Sequence, residues 1–478
     1  LPPGQPIASF AYPFVTGIDG LSACIPGGSW CGYIRAPESP KREPLLDFVM
    51  CITWNDSRRE NNVCPRRTPS TQAAPVLTPN RLAGIVSGFG RDILRCRRAM
   101  PQLRIAIIIG TRPEAIKLAP VIHELEKHRD CRAIVLLTGQ HREMVEQVMQ
   151  HFGLTPDQDL AIMQRDQSLT DIASRSIDGL SQALESAKPD LVVVQGDTTT
   201  AFAGALTAFY MHIPVAHVEA GLRTNTAQDP FPEEMNRRLI SQLATINFAP
   251  TDEAVVNLKS SGIEGRIIKT GNTVVDALFQ TAATRPECPV EGLDWDVGRV
   301  ILATVHRREN WGARIDSILR AFSILLDRYP DLRIVLPLHR NLRVRQPIEK
   351  ALGQHPRAFL VEPLSYPGLI GAIQRCHLLL TDSGGLQEEA PSLGKPVLVL
   401  RETTERPEAI KAGTARLVGT DTGQIVEMTA SLLDDDDAYQ SMARVNNPFG
   451  DGRAAERIVS HIRLFFGANL DAPDPATN

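Results

Sequence analysis

The sequence predicts an α/β protein of two doubly wound domains with a cleft between them. Three observations carry that expectation. From Leu103 onward, short β-branched or apolar runs alternate with helical-period stretches. The alternation breaks once, over the proline-containing "ATRPECPVEGLDWDVG", and then restarts. Polar, glycine-bearing or charged residues follow the apolar runs at once. Alternating strands and helices imply βαβ units and a parallel sheet covered on both faces. Ligands of such sheets bind outside the carboxyl ends of the strands, so the residues just past each strand are the candidates for chemistry.

The bulk properties agree. A chain of 478 residues has room for at least two cores. With 43% hydrophobic residues and a net charge of −4, it has no field of one sign to suggest nucleic acid or a membrane surface. No apolar stretch reaches the roughly 20 residues of a spanning helix. Five of the eight cysteines precede Met100, and Cys131, Cys288 and Cys376 follow it. None forms a C-x-x-C or Cys/His pattern, so no metal site is expected, and three scattered thiols fit a reducing cytoplasm. Residues 1–99 are rich in proline and basic pairs without lasting periodicity. They read as disordered, or as translated upstream sequence before a start at Met100.

In chain order, "LRIAIII" (103–109), "RAIVLLT", "DLVVVQ", "PVAHVE" and "TINFAP" are the strands of the first domain, 100–271. After the first comes "GTRPEAIK": Thr111 and Glu114 have capping-box spacing, and Pro113 suits a first helical turn. Arg112 and Lys117 then lie near a helix start suited to a diphosphate. The pattern is not G-x-G-x-x-G, so no nicotinamide cofactor is indicated. Asp197 follows the third run and Glu219 ends the fourth; if those strands are neighbours, about 4.8 Å apart, the carboxylates converge. Two acids at successive strand ends suggest acid/base work, although Asp197 also fits a simple N-cap. Glu233 and Glu234 fall in the first turn of a helix begun at Pro232, where the macrodipole alone favours acids.

"RVILATV", "LRIVLPL", "AFLVEPL", "CHLLLT" and "PVLVL" build the second domain, 272–446. The first of these ends at His306, flanked by Arg307 and Arg308. Like charge disfavours its imidazolium unless an anion, such as phosphate, bridges the group. In "TDSGGLQEEA" the backbone at Ser383, Gly384 and Gly385 can approach a phosphate closely, and Glu389 can accept from ribose hydroxyls.

Taken together, "GTRPEAIKLAP", "TGQHREM", "GDTTT", "HVEAGLRT", "PFPEEMNRR", "HRREN", "TDSGGLQEEAPSLGKPVL", "RETTERPEA" and "NPFGDGRAAERI" resemble the non-hydrolysing UDP-N-acetylglucosamine 2-epimerases, from about Leu103 to Phe466. The resemblance implies two Rossmann-like domains of glycosyltransferase-B type, a homodimer, and a last helix (447–466) crossing back to the first domain, ahead of a tail, 467–478. It implies reversible inversion at C2 of UDP-GlcNAc, by loss of UDP to 2-acetamidoglucal and re-addition, with no cofactor. Arg112, Lys117 and His306 would stabilise the departing diphosphate. Asp197, Glu219 and Glu233 would handle the proton, and Ser383 and Glu389 would contact the nucleotide. Gln140 and Glu143 match the region where a second UDP-GlcNAc acts as activator. A hydrolysing epimerase releasing ManNAc and UDP, or a non-catalytic nucleotide-sugar sensor, would share the fold.

Overall fold

The computed structural model describes strands 29–33 and 49–53 and residues 102–139, 142–164, 167–224 and 226–467. The chain divides into two compact units, residues 1–92 and 93–478. In the first, β1 (Ser29–Tyr33) pairs antiparallel with β2 (Val49–Thr53). The reading of 1–99 as disordered or upstream sequence otherwise lies outside the described residues, as does that of the tail beyond residue 467.

The second unit holds two parallel sheets. β3 (Leu103–Ile109), β4 (Cys131–Leu137), β5 (Gln158–Asp159), β6 (Leu191–Gln195), β7 (Val215–Val218), β8 (Ile246–Ala249) and β9 (Arg266–Lys269) assemble in the order β5-β4-β3-β6-β7-β8-β9. β10 (Arg299–Thr304), β11 (Leu332–Pro337), β12 (Ala358–Val361), β13 (Leu378–Thr381), β14 (Val397–Val399) and β15 (Ala415–Leu417) assemble in the order β12-β11-β10-β13-β14-β15. Each chain path starts at a central strand, winds outward to one side, then returns to the other. The path therefore reverses between β3 and β6 in one sheet and between β10 and β13 in the other. A crevice opens at the carboxyl end of each reversal.

Burial on both faces explains the unbroken apolar runs. Ile105 to Ile109 on β3 and Leu378 to Leu380 on β13 are almost wholly inaccessible. The helix Arg112–Glu126 buries Ala115, Leu118, Ala119, Val121, Ile122 and Leu125. That is more than one stripe, because helices Thr273–Ala283 and Ala454–Phe465 cover its outer side. These two helices follow the two crossings between the sheets. A single apolar cluster consequently runs from Ile107 through Val275 and Ile458 to Leu379.

The final helix is fastened at both ends, to helix Thr273–Ala283 and to the first lobe. Asp276 accepts from the amides of Ala454 (3.2 Å) and Ala455 (2.8 Å), and Arg463 pairs with Asp130 at 3.0 Å. Where the crossings meet, the Asn272 amide donates to the Phe449 carbonyl at 2.7 Å. Among the described residues no helix is long and apolar enough to cross a membrane.

Candidate active site

At the first reversal, Thr111 and Glu114 form the expected capping box at the start of helix Arg112–Glu126. Glu114 is buried and accepts from the amides of Gly110 (2.7 Å) and Thr111 (2.6 Å), and Thr198 Oγ1 reaches it from the β6 turn. The two loops at the crevice are thereby tied together. Lys117, one turn on, points Nζ at both oxygens of Glu219, at 2.7 and 2.6 Å. Its ammonium is thus paired with a carboxylate of the neighbouring strand end.

β6 and β7 are parallel neighbours, which brings Asp197 and Glu219 to one rim. Thr198, not Asp197, caps the next helix, accepting from Ala201 N at 3.0 Å. The Asp197 carboxylate instead pairs with Arg237 from helix Glu233–Leu243, and Asn236 Nδ2 donates to its carbonyl at 3.0 Å. Burial raises the proton affinity of Asp197. The charge of Arg237 opposes this, Glu219 and Glu233 add to it, and Lys117 subtracts. All three candidate carboxylates are thus electrostatically linked.

Their surroundings differ. Glu219 is buried and held at φ +63°, a left-handed conformation unusual for a residue with a Cβ. Besides Lys117, Gln195 Nε2 donates to it, as does Asn272 Nδ2 at 3.1 Å. Burial opposes its ionisation, but the charges of Lys117 and Arg406 and the hydrogen bonds from Lys117 and Asn272 hold its carboxyl below the usual range. Glu233 is half-exposed, whereas its neighbour Glu234 is fully buried and accepts from Arg238 Nε (2.6 Å) and Thr224 N (3.0 Å). Of the two adjacent acids, Glu234 holds the loop, while Glu233 stays half-exposed with its charge felt by Asp197.

At the second reversal, His306 follows β10 and Asp382 follows β13. His306 Nδ1 lies 2.8 Å from Asp382 Oδ1, while the amides of His306 and Arg307 donate to the other oxygen at 2.9 Å each. Burial opposes ionisation of Asp382, yet the hydrogen bond and charge of His306 and these amides keep its carboxyl below the ordinary range. The anion expected beside His306 is therefore supplied by the protein. His339, after β11, stacks on His306 with centroids 6.1 Å apart.

The turn at Ser383 leads into the short helix Gly384–Glu389, with Ser383 as N-cap. Glu389 is buried, and burial, reinforced by the adjacent Glu388, pushes its carboxyl up to about 8 against the pull of Lys117 and Arg112. A group of the second lobe thus feels two cations of the first. Glu388 lies nearer still: Asn272 Nδ2 donates to it at 2.8 Å, and Arg406 pairs with it. The two reversals face one interlobe site.

The chain has known relatives. A family model described as UDP-N-acetylglucosamine 2-epimerase matches residues 123–463. The chain belongs to the UDP-N-acetylglucosamine 2-epimerase family. The UDP-N-acetylglucosamine 2-epimerase of Bacillus subtilis 168 is 45% identical over 381 residues, covering 79% of this chain and 100% of the relative. That of Escherichia coli K12 is 46% identical over 376 residues, covering 76% and 98%. A crystal structure of the UDP-GlcNAc 2-epimerase from Neisseria meningitidis bound to UDP-GlcNAc superposes with a TM-score of 0.70 at 46% identity, covering 75% of this chain and 99% of that one.

Within this epimerase fold, the structure gathers Lys117, Asp197 and Glu219 in contact or electrostatic reach, with Glu233 acting on Asp197. It sets His306, Ser383 and Glu389 on the opposing lobe. Arg112 begins its helix half-buried, and Glu143 is exposed in the first turn of helix Arg142–His151. Gln140 lies outside the described residues. Sequence reasoning passed over Gln195, Arg237, Asn272, Asp382, Glu388 and Arg406. Arg237 and Asp382 sit inside quoted motifs, one helical turn from Glu233 and one residue before Ser383. Nothing local distinguishes Asn272 from an ordinary helix cap.

Proposed function

We propose that the chain interconverts UDP-GlcNAc and UDP-ManNAc without hydrolysis, by elimination of UDP and re-addition. The C2 hydrogen is not adjacent to a carbonyl, so a carboxylate cannot remove it unaided. Weakening of the C1–oxygen bond places positive character on the ring and acidifies C2–H. The bonding pair leaves with UDP, the C2 proton passes to a carboxylate, and 2-acetamidoglucal remains. Re-addition of UDP, with protonation on the opposite face, gives the epimer.

The observation that carries this reading is the gathering of Asp197 and Glu219 at one reversal, with Glu233 in electrostatic reach of Asp197 and with Glu388 and Glu389 of the other lobe in reach of Lys117. Arg112, Lys117 and His306 supply positive charge or protons to the departing diphosphate. Contact with Ser383, Gly384, Gly385 and Glu389 suits the nucleotide of UDP-GlcNAc, the ligand of the Neisseria enzyme. No cofactor enters the scheme. A second UDP-GlcNAc as activator near Gln140 and Glu143, a homodimer and a cytoplasmic location complete the proposal.

Incubation of UDP-GlcNAc with the protein in deuterium oxide tests it. Deuterium at C2 of intact UDP-GlcNAc and UDP-ManNAc is the expected result, with exchange falling at least about a hundredfold in Asp197→Asn. Accumulation of free ManNAc and UDP would make the chain a hydrolysing epimerase. Binding without exchange would make it a sensor.

A further inference from the structure

Asn272 lies where the two crossings between lobes meet, and it is 2% exposed. Each of its polar groups is used. Its amide donates to Phe449 O on the other crossing at 2.7 Å, and its side-chain oxygen accepts from Val274 N at 3.1 Å, capping helix Thr273–Ala283. Its side-chain nitrogen donates to Glu219 Oε1 at 3.1 Å and to Glu388 Oε2 at 2.8 Å. These carboxylates belong to opposite lobes. Each carries its own cation, Lys117 on Glu219 and Arg406 on Glu388. One neutral amide therefore links a carboxylate of each lobe.

We infer that Asn272 is a positioning residue through which the hinge fixes Glu219 and registers it against Glu388 of the other lobe. This rests on the proposed reaction, since it assigns Asn272 a part in presenting Glu219. An amide is the side chain at this position that both caps the helix and donates to two anions. Serine and aspartate cap as well as asparagine does. Neither reproduces the double donor: serine has one hydroxyl hydrogen on a shorter arm, and ionised aspartate has none and adds a third negative charge.

The variants Asn272→Ser and Asn272→Asp separate capping from positioning. If Asn272 only caps, both variants match wild type in kcat and pH profile, whatever the charge added in Asn272→Asp does to its thermal midpoint. If it positions Glu219, both keep a cooperative unfolding transition, while kcat for C2 exchange falls about ten- to a hundredfold in Asn272→Ser. Asn272→Asp falls further, and KM for UDP-GlcNAc changes less than kcat in either variant. Losing a donor raises the proton affinity of Glu219, so the acid limb of the kcat/KM profile moves to higher pH in Asn272→Ser. Unchanged kcat and acid limb in both variants would overturn the inference. So would loss of the folded transition in both, which would make Asn272 a residue of the fold alone. Wild type measured alongside keeps the two questions apart. No exchange in wild type sinks the reaction, whereas equal exchange in wild type and variants sinks only the role of Asn272.

Discussion

Glu389 shows how much one residue's chemistry depends on its surroundings. In sequence it is the second of two glutamates in a helix, and its ordinary state is ionised. In the structure it is buried beside Glu388, and its carboxyl keeps its proton up to about pH 8. Ribose hydroxyls donating to it would favour the ionised form. Binding of UDP just below about pH 8 is therefore expected to release protons, and the release should vanish as pH rises above that value and again at acid pH, where the carboxyl stays protonated in both states. Calorimetry in buffers of differing ionisation enthalpy measures it directly; pH-independent uptake would refute the contact. The acids at strand ends were legible from position alone. Their division of labour was not: Glu219 is saturated with donors and Asp197 is held by one arginine, and both facts come from residues distant in sequence.

At the scale of elements, local chemistry accounts for most boundaries. Thr111, Ser168, Thr198, Thr251 and Asp421 each stand as N-cap where a helix begins. Gly221 follows Glu219 and shows what such signals leave out. Its φ is +95°, and a Cβ there would stand 2.4 Å from the Ala254 carbonyl oxygen. Gly153 has a similar left-handed backbone, φ +66°, with nothing within 4 Å. Gly153→Ala should thus lose only the conformational term, about 1 kcal/mol. Gly221→Ala adds a backbone collision and should lose more than about 2 kcal/mol, with lower C2 exchange because the turn carrying Glu219 must shift. Urea unfolding of the two variants makes the comparison; equal losses would mean that the close approach to Ala254 is unimportant.

Across the molecule, the crossings and the helices they carry unite the lobes. Helices Thr199–Tyr210 and Glu233–Leu243 pack side by side and leave Phe209, Tyr210, Met235 and Leu239 at 53, 67, 41 and 41% exposure. Met235 and Leu239, four residues apart on one helix, would be covered in the homodimer that the family resemblance implies. Sedimentation should show a dimer for the wild type and a shift to monomer in Met235→Glu/Leu239→Glu. A wild-type monomer at micromolar concentration would remove the proposal.

The sequence by itself determined the doubly wound class, the break between the two sheets, and the set of strand-end residues. Those follow from hydrophobic period and turn chemistry, which act over a few neighbouring positions. Only the tertiary structure decided that Lys117 serves Glu219, that Asp382 accompanies His306, and that Asn272 joins carboxylates from both lobes. Each of those pairings spans between 53 and 116 positions of chain. Contacts at such separation are chosen by how the sheets and crossings pack, and no local pattern records that choice.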